Sequence, residues 1–318
     1  MLFIGACHEP FSNEDLLFLL ATPQHLEIRV PSNEMEGHGL SAAQTSTRVA
    51  ARFHRDARKT ADDLNQFVFS ILQTIGRITV EPPSLREENR RIWGPFPSGE
   101  GNELLLVVDR IPTSTVARFV TDRTSTAHQF FNYGLIGRPA QGDREWIGLI
   151  SGSSHPRSDG PGAGRFFVSF ENIRQIDQES PSRGAFFVGY DVQPDHTTIE
   201  VVADSDPSQI FEADTAYQHS EDADGGGTFV FFQREDLIHL SDQEEVLAIG
   251  ARWLPSGRGR ADVVVAEGDV STPLIASECW DEQFFRVFLF STIPDPEFIN
   301  EGQIEACGPA LQDAQFPD

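Results

Sequence analysis

The feature of this sequence that most constrains its fold is a repeated alternation of apolar and polar residues. Phe166, Val168 and Phe170 occupy alternate positions, with polar or small side chains at several of the positions around them. Successive side chains of an extended strand point to opposite faces of a sheet, so this spacing is typical of strands with one buried face. The same pattern recurs along most of the chain after residue 93 and predicts many such strands.

The predicted strands are joined mainly by short turns, such as Pro194-Asp195 and Ser256–Gly259, which favour hairpins. A meander of about ten strands tends to curl or close on itself. The sequence therefore predicts a mainly β fold, a large antiparallel meander that forms a barrel or a strongly curved sheet. Two stretches interrupt the pattern and are predicted as loops: Ser151–Gly164, rich in Gly, Ser and Pro, and the acidic stretch Asp204–Gly227.

One N-terminal amphipathic α-helix is predicted before the strands, over about residues 61–76 and packed on the sheet. Thr60 is followed by acidic residues, as at a capped helix N-terminus, and Gly76 and Pro82-Pro83 mark its end. The apolar residues recur at the spacing of one helical face: Leu64, Phe67, Val68, Ile71, Leu72 and Ile75. Such a face is usually buried in the core of a domain.

The charge of the chain limits the kinds of partner that it can bind. Its 318 residues carry a net charge of −25, with 49 acidic against 24 basic residues. Binding of nucleic acid depends on the neutralisation of phosphates by Lys and Arg, so we expect no nucleic-acid partner. The acidic surface is interpreted as a solubility device, and the alternative is that it binds a cation or a basic partner.

The first cysteine lies in a sequence that resembles the cleavage site of a bacterial lipoprotein. Ile4-Gly5-Ala6-Cys7 has the aliphatic and small residues that precede the lipid-bearing cysteine of a lipobox. We expect residues 1–7 to be the remnant of a signal peptide, 8–47 a tail or linker, and 48–318 the helix and antiparallel β domain. A basic segment and a full apolar segment do not precede Cys7. Either the true start lies upstream of Met1, or the match arises by chance.

The other two cysteines, Cys279 and Cys307, lie near the C-terminus. An oxidising compartment favours their pairing as a disulfide, whereas two independent buried thiols are the alternative in the cytosol. Neither belongs to a Cys-x-x-Cys pair, so zinc and thioredoxin-like chemistry have no support. One lipidated cysteine and one disulfide account for all three cysteines and favour export.

The sequence contains no phosphate-binding loop, metalloprotease helix or Gly-x-Ser-x-Gly elbow, and we expect no cofactor. The consecutive residues Ser153, Ser154 and His155 are the weak basis for a hydrolase. The acidic loop supplies weak calcium candidates, Asp222 and Asp224, although its spacing does not match an EF-hand. The histidines are scattered singly, without the spacing of a metal site. No catalytic residue is therefore predicted.

Several short motifs resemble a family of uncharacterised myxobacterial lipoproteins over most of the chain after about residue 48. The resembling segments are Ile4–Cys7, the helix leading into Glu81-Pro82-Pro83, Ile92–Phe96, Arg252–Val263, Gly268-Asp269, Glu278–Asp281 and Cys307. The resemblance implies a lipid-anchored envelope protein and supplies no activity.

From these features we expect an exported, non-enzymatic protein that is structural or binds a partner, anchored to a membrane through a lipid on Cys7. Its expected place is the outer membrane or the periplasmic face of the envelope, or the cytoplasm if the lipobox is spurious. The alternative function is a carrier of a lipid or other apolar ligand, because a curved sheet rich in Phe can enclose such a molecule.

Overall fold

The structure is a computed structural model, and it describes residues 25–32, 48–98, 101–111, 130–139, 145–157, 160–204, 215–236, 241, 243–294 and 298–316. The chain divides into two compact units. The first consists mainly of Phe67–Gln193, and the second of Glu27–Gln66, Pro194–Val202 and Glu212–Asp318. The predicted boundary near residue 48 adjoins residues outside the described part, so that boundary stays a prediction.

The described residues contain fifteen strands. In chain order they are β1 (Leu85–Arg86), β2 (Arg90–Ser98), β3 (Asn102–Ile111), β4 (Phe130–Pro139), β5 (Ile147–Arg157), β6 (Gly160–Ser169), β7 (Ala185–Val192), β8 (His196–Asp204), β9 (Thr215–Asp222), β10 (Gly227–Glu235), β11 (Glu245–Trp253), β12 (Gly259–Ala266), β13 (Leu274–Trp280), β14 (Arg286–Ser291) and β15 (Glu301–Gly302).

The order of the strands in the sheet is the same as their order in the chain. The ladders from β1 to β7, and from β9 to β15, are all antiparallel. This confirms the predicted mainly β antiparallel meander. The order has two ends, β1 and β15, so the sheet is open and the closed barrel is not formed by the described strands.

Among the described residues, one long helix, α1 (Arg52–Val80, 29 residues), precedes the strands as predicted but is longer than predicted. It begins at Arg52, because the side-chain carboxylate of Glu278 accepts hydrogen bonds from the backbone N–H groups of Arg52 (3.0 Å) and Phe53 (2.7 Å). Gly76 does not end it, and the helix continues to the residues before Pro82-Pro83. The cap is supplied by a side chain distant in sequence, which no local pattern reveals.

Each half of α1 packs on its own unit through aromatic side chains. In the first unit, the ring of Phe67 lies 4.5 Å from that of Phe186 on β7, edge to face. In the second unit, the ring of Phe53 stacks on Phe298 at 5.5 Å, and His54 stacks on Phe284 at 4.5 Å. These contacts bury the apolar face of the helix, as its periodicity predicts.

The stretch Ser151–Gly164 is not the predicted loop: most of it belongs to the strands β5 and β6, which pair with each other. The small residues of these strands have a structural role, although the same composition is also typical of a turn. The predicted strand that ends at Phe170 instead stops at Ser169, whose Oγ accepts a hydrogen bond from Asn172 N at 3.2 Å. This cap begins the short helix α2 (Phe170–Ile176).

Glycines lie against large aromatic rings on neighbouring strands in both units. A side chain on any of these glycines would overlap the ring, so the ring covers the position that the missing side chain leaves open. The register pairs are Gly152 with Tyr133, Gly164 with Tyr190, Gly227 with Trp253, and Gly259 with Trp280. Close packing of buried rings therefore requires glycine at these strand positions.

The last residues of the second unit are held by a buried pair of charges on β12. The guanidinium of Arg260 donates to the backbone carbonyls of Leu311 (2.9 Å) and Gln312 (2.5 Å). The carboxylate of Asp262 accepts from the backbone N–H of Gln315 at 2.9 Å. Arg260 and Asp262 also pair with each other at 2.8 Å, so one ion pair fixes both the sheet and the C-terminal segment.

Candidate ligand groove on the open face of β4–β7

The strands β4 to β7 of the first unit have one face that packs on the helices and one that is open to solvent. Phe131, Phe166 and Val188 are buried on the helix side. On the opposite face, alternate residues are accessible, and Phe167 is 41% exposed. This open face carries the candidate site.

Register pairing arranges the side chains of the open face in rows across the four strands. Asn132, Ser153, Arg165 and Gly189 form a polar row, in which each residue is the register partner of the next. The parallel row beside it consists of Gly134, Ser151, Phe167 and Phe187. Each row contains a glycine, which leaves space above the sheet.

This space is a groove of about 350 Å³, in the range typical of small-molecule sites. The side chains that line it on the open face are those of Asn132, Ser151, Ser153, Arg165, Phe167 and Phe187. Arg165 is the charged group among them, and the lining holds no carboxylate. The groove therefore has a local positive charge in a chain whose net charge is −25.

The sequence contains a signal for this groove in its adjacent phenylalanines. Phe166-Phe167 and Phe186-Phe187 are doublets within strands, and neighbours in a strand must point to opposite faces. One member of each doublet is therefore directed away from the helix side. Alternation predicts correctly that Phe166 is buried, and the same period directs Phe167 to the open face.

The hydrolase candidates Ser153, Ser154 and His155 all lie on β5. Ser154 points to the buried face and His155 to the open face, since they are adjacent in an extended strand. Within the described residues, neither Oγ of Ser154 nor Nε2 of His155 has a hydrogen-bond partner, so they do not form a Ser–His pair. The ring of His155 stacks on that of Phe130, with centroids 3.7 Å apart.

The environment of His155 also disfavours its charged form. Burial lowers the pKa of its imidazole, and the carboxylate of Asp191 opposes this effect. Asp191 lies in the same row, separated from His155 by the small residue Ala163. Burial therefore favours the neutral form of a ring that lies beside the groove.

The two C-terminal cysteines are brought together in the second unit. Cys279 on β13 and Cys307 form a disulfide with their Cα atoms 5.4 Å apart, and both are fully buried with Leu311 in one apolar cluster. Trp280, the next residue of β13, is also fully buried, and its Nε1 donates to Gly257 O at 2.9 Å. Cys7, the predicted lipidation site, lies outside the described residues.

The calcium candidates Asp222 and Asp224 lie at the tight turn between β9 and β10. Asp224 accepts a hydrogen bond from Gly226 N at 3.0 Å, and Asp222 lies 3.2 Å from His196 Nδ1. In the described part of the chain, no three His, Cys, Asp or Glu side chains gather as a metal site would require. The bond to Gly226 gives Asp224 a structural role in the turn, and calcium binding at these two carboxylates stays a prediction.

Glu278, the helix cap of the second unit, is a buried carboxylate that sequence analysis did not single out. Burial raises its pKa from the ordinary 4.5 to about 7, while the N–H groups of Arg52 and Phe53 and the charge of Arg286 act in the opposite direction. It lies between β13 and the first turn of α1, far in sequence from the residues that it caps.

Replacing Glu278 by glutamine is expected to flatten the pH dependence of stability between pH 4.5 and 7. The folded pKa exceeds the unfolded one, so the wild-type contribution is greatest below 4.5 and falls as the pH rises to about 7. The difference across this window is on the order of 3 kcal/mol. Urea unfolding of both proteins at several pH values measures it.

The exposed Glu282 provides the matched control for this measurement, because its side chain is 54% exposed and pairs with Arg258 at the surface. Glu282→Gln should keep the wild-type slope. Equal slopes for the wild type and Glu278→Gln would contradict the assignment of the slope to Glu278.

No known protein family, curated protein or solved structure matches this chain. The resemblance to myxobacterial lipoproteins therefore stays a prediction. Among the described residues, no helix is both long and apolar enough to cross a membrane.

Proposed function

We propose that this chain is an exported, lipid-anchored protein of the cell envelope that acts by binding rather than by catalysis. The observation that carries the proposal is the buried disulfide between Cys279 and Cys307. Disulfides persist in oxidising compartments and are rare in the cytosol. Lipidation of Cys7, expected from Ile4–Cys7, provides the anchor.

Binding is favoured over catalysis by the chemistry of the open face. A catalytic site needs a nucleophile and a base within hydrogen-bond reach, or a pair of carboxylates with separated roles. The open face instead places phenylalanine, serine, asparagine and one arginine around a groove. Such a mixture of apolar surface and a few polar groups is typical of ligand sites.

The alternative function is the carriage of an apolar ligand. The observation that favours it is the exposed Phe167, with Phe187 directly opposite in register. In that case, the ligand would lie in the groove on the open face of β4–β7, since the other face is filled by buried rings such as Phe131 and Phe166.

The export proposal is tested by intact and peptide mass spectrometry of the protein made from its native upstream DNA in a bacterial host. A mature chain that begins at acylated Cys7, with Cys279 and Cys307 in one linked peptide, is the expected result. Cys7→Ser is the matched control and should carry no lipid. An unmodified Met1 together with three alkylatable thiols would overturn the proposal.

A further inference from the structure

The groove on the open face differs from the rest of this acidic protein in its charge. The guanidinium of Arg165 has no hydrogen-bond or ion-pair partner among the described residues. Many other described arginines have carboxylate partners, such as Arg138 with Glu103 at 2.8 Å and Arg234 with Glu267 at 2.8 Å. An unpaired guanidinium in a groove without a carboxylate favours an anionic ligand.

The neighbours of Arg165 in its row are suited to the same ligand group. The hydroxyl of Ser153 and the amide of Asn132 both donate hydrogen bonds, and both are register neighbours on the same face. A carboxylate offers two oxygens with about four acceptor positions, which matches this set of donors. The nearest acid of the adjoining row, Asp191, accepts a hydrogen bond from Gln193 Nε2 at 2.9 Å.

The second row of the groove supplies an apolar surface beside the donors. Phe167 follows Arg165 by two positions on β6, so their side chains are separated by roughly 7 Å along the strand. Phe187 is the register partner of Phe167 and extends this apolar surface onto β7. A ligand that fills both rows therefore has an anionic group and an apolar body, separated by about the distance between alternate residues of a strand.

We infer that this groove binds an amphipathic carboxylate, with its carboxylate on Arg165 and its apolar body on Phe167 and Phe187. Both aromatic acids and fatty acids have this chemistry. The inference deepens the proposed binding function and rests on it. A purely apolar ligand would leave the guanidinium unpaired, and an inorganic anion would leave both rings exposed to water.

The inference is tested by calorimetric titration of the purified full chain with four probes: 3-phenylpropanoate, decanoate, 1-decanol and inorganic phosphate. We expect at least one carboxylate to bind, and which of the two binds identifies the aromatic or the fatty class. Decanol and phosphate should each bind at least about tenfold more weakly, since each lacks one of the two groups recognised. Equal binding of decanol and decanoate, binding of phosphate alone, or no binding of either carboxylate would overturn the inference.

Variants locate the bound carboxylate. Arg165→Met should weaken binding by about 10- to 100-fold, because it removes a charge-assisted hydrogen-bond donor. Phe167→Ser should weaken it as well, and both positions are exposed, so the fold should be retained. Arg183→Met, which removes an exposed arginine outside the groove, is the matched control. Loss of affinity in Arg183→Met equal to that in Arg165→Met would contradict the site.

The failure of this inference and the failure of the export proposal are distinguishable. Titration uses purified protein and does not depend on the lipid, whereas mass spectrometry of Cys7 does not depend on the groove. A lipidated chain that binds neither carboxylate overturns the ligand class alone. A chain that binds a carboxylate but carries no lipid overturns the anchor alone.

Discussion

Replacing Arg260 by methionine is expected to lower the free energy of unfolding by about 3–5 kcal/mol, because it leaves a buried carboxylate without its partner charge. Arg260 and Asp262 are 3% and 1% exposed. Nε of Arg260 donates to Asp262 Oδ1 at 2.8 Å, and its Nη2 donates to Ser277 Oγ at 3.0 Å. Loss of the guanidinium also deprives the carbonyls of Leu311 and Gln312 of their donor.

Urea unfolding measures this change, and two further variants make its cause clear. Arg90→Met removes an exposed ion pair with Asp109, so it should have a much smaller effect. The double variant Arg260→Met/Asp262→Leu removes both buried charges and should recover much of the loss. A loss no larger for Arg260→Met than for Arg90→Met would contradict the role given to the buried pair.

Removal of the disulfide by Cys279→Ser/Cys307→Ser is expected to destabilise the protein by about 3–4 kcal/mol. The bridge joins residues 28 positions apart, so it restricts a loop of that length in the unfolded chain. It also connects β13 to the C-terminal segment that Arg260 holds. Denaturant unfolding of the wild type and the variant, each with and without a reductant, measures the contribution of the bridge.

The reductant supplies the control for this second measurement. It should lower the stability of the wild type toward that of the double-serine variant, and it should leave the variant unchanged. If the free energy of unfolding of the wild type is the same with and without reductant, the result would contradict the presence of the bridge. If reductant also changes the free energy of unfolding of the variant, it acts on a group other than this bridge.

The hydrogen bonds of Arg260 and the disulfide cluster are adjacent in the structure, so the effects of these variants on stability should not be independent. Arg260 and Cys279 are register partners on β12 and β13, and Leu311 contacts both networks. Residues in such close contact usually show non-additive changes in stability. The combined loss in a triple variant should therefore be smaller than the sum of the separate losses, since either change alone already releases the C-terminal segment.

Alternation along the chain was sufficient to predict the class of fold, because a strand with one buried face imposes its period on the sequence wherever it occurs. Phe166 and Val168 lie on the buried face as this rule requires. The loop predicted from composition at Ser151–Gly164 was wrong, because the glycines there accommodate the rings of Tyr133 and Tyr190. Composition does not distinguish a glycine that turns the chain from one that makes room for a neighbour.

The candidate groove was only partly predictable. The doublet Phe166-Phe167 requires one ring on the open face, and the position of Arg165 beside it follows from the same period. That Asn132 and Ser153 lie in the row of Arg165 depends on the register of β4, β5 and β6. Register is set by pairing between strands, and a single strand carries no information on which residue its partner places opposite.

What the sequence by itself determined is therefore the local part of this protein: most of the strands, the hairpin order and the apolar face of α1. The tertiary structure alone decided which distant groups meet. Glu278 caps Arg52 from 226 residues away, and Arg260 holds the carbonyl of Leu311 from 51 residues away. Periodicity reports the face on which a residue lies, whereas these contacts depend on how the folded chain brings separate faces together.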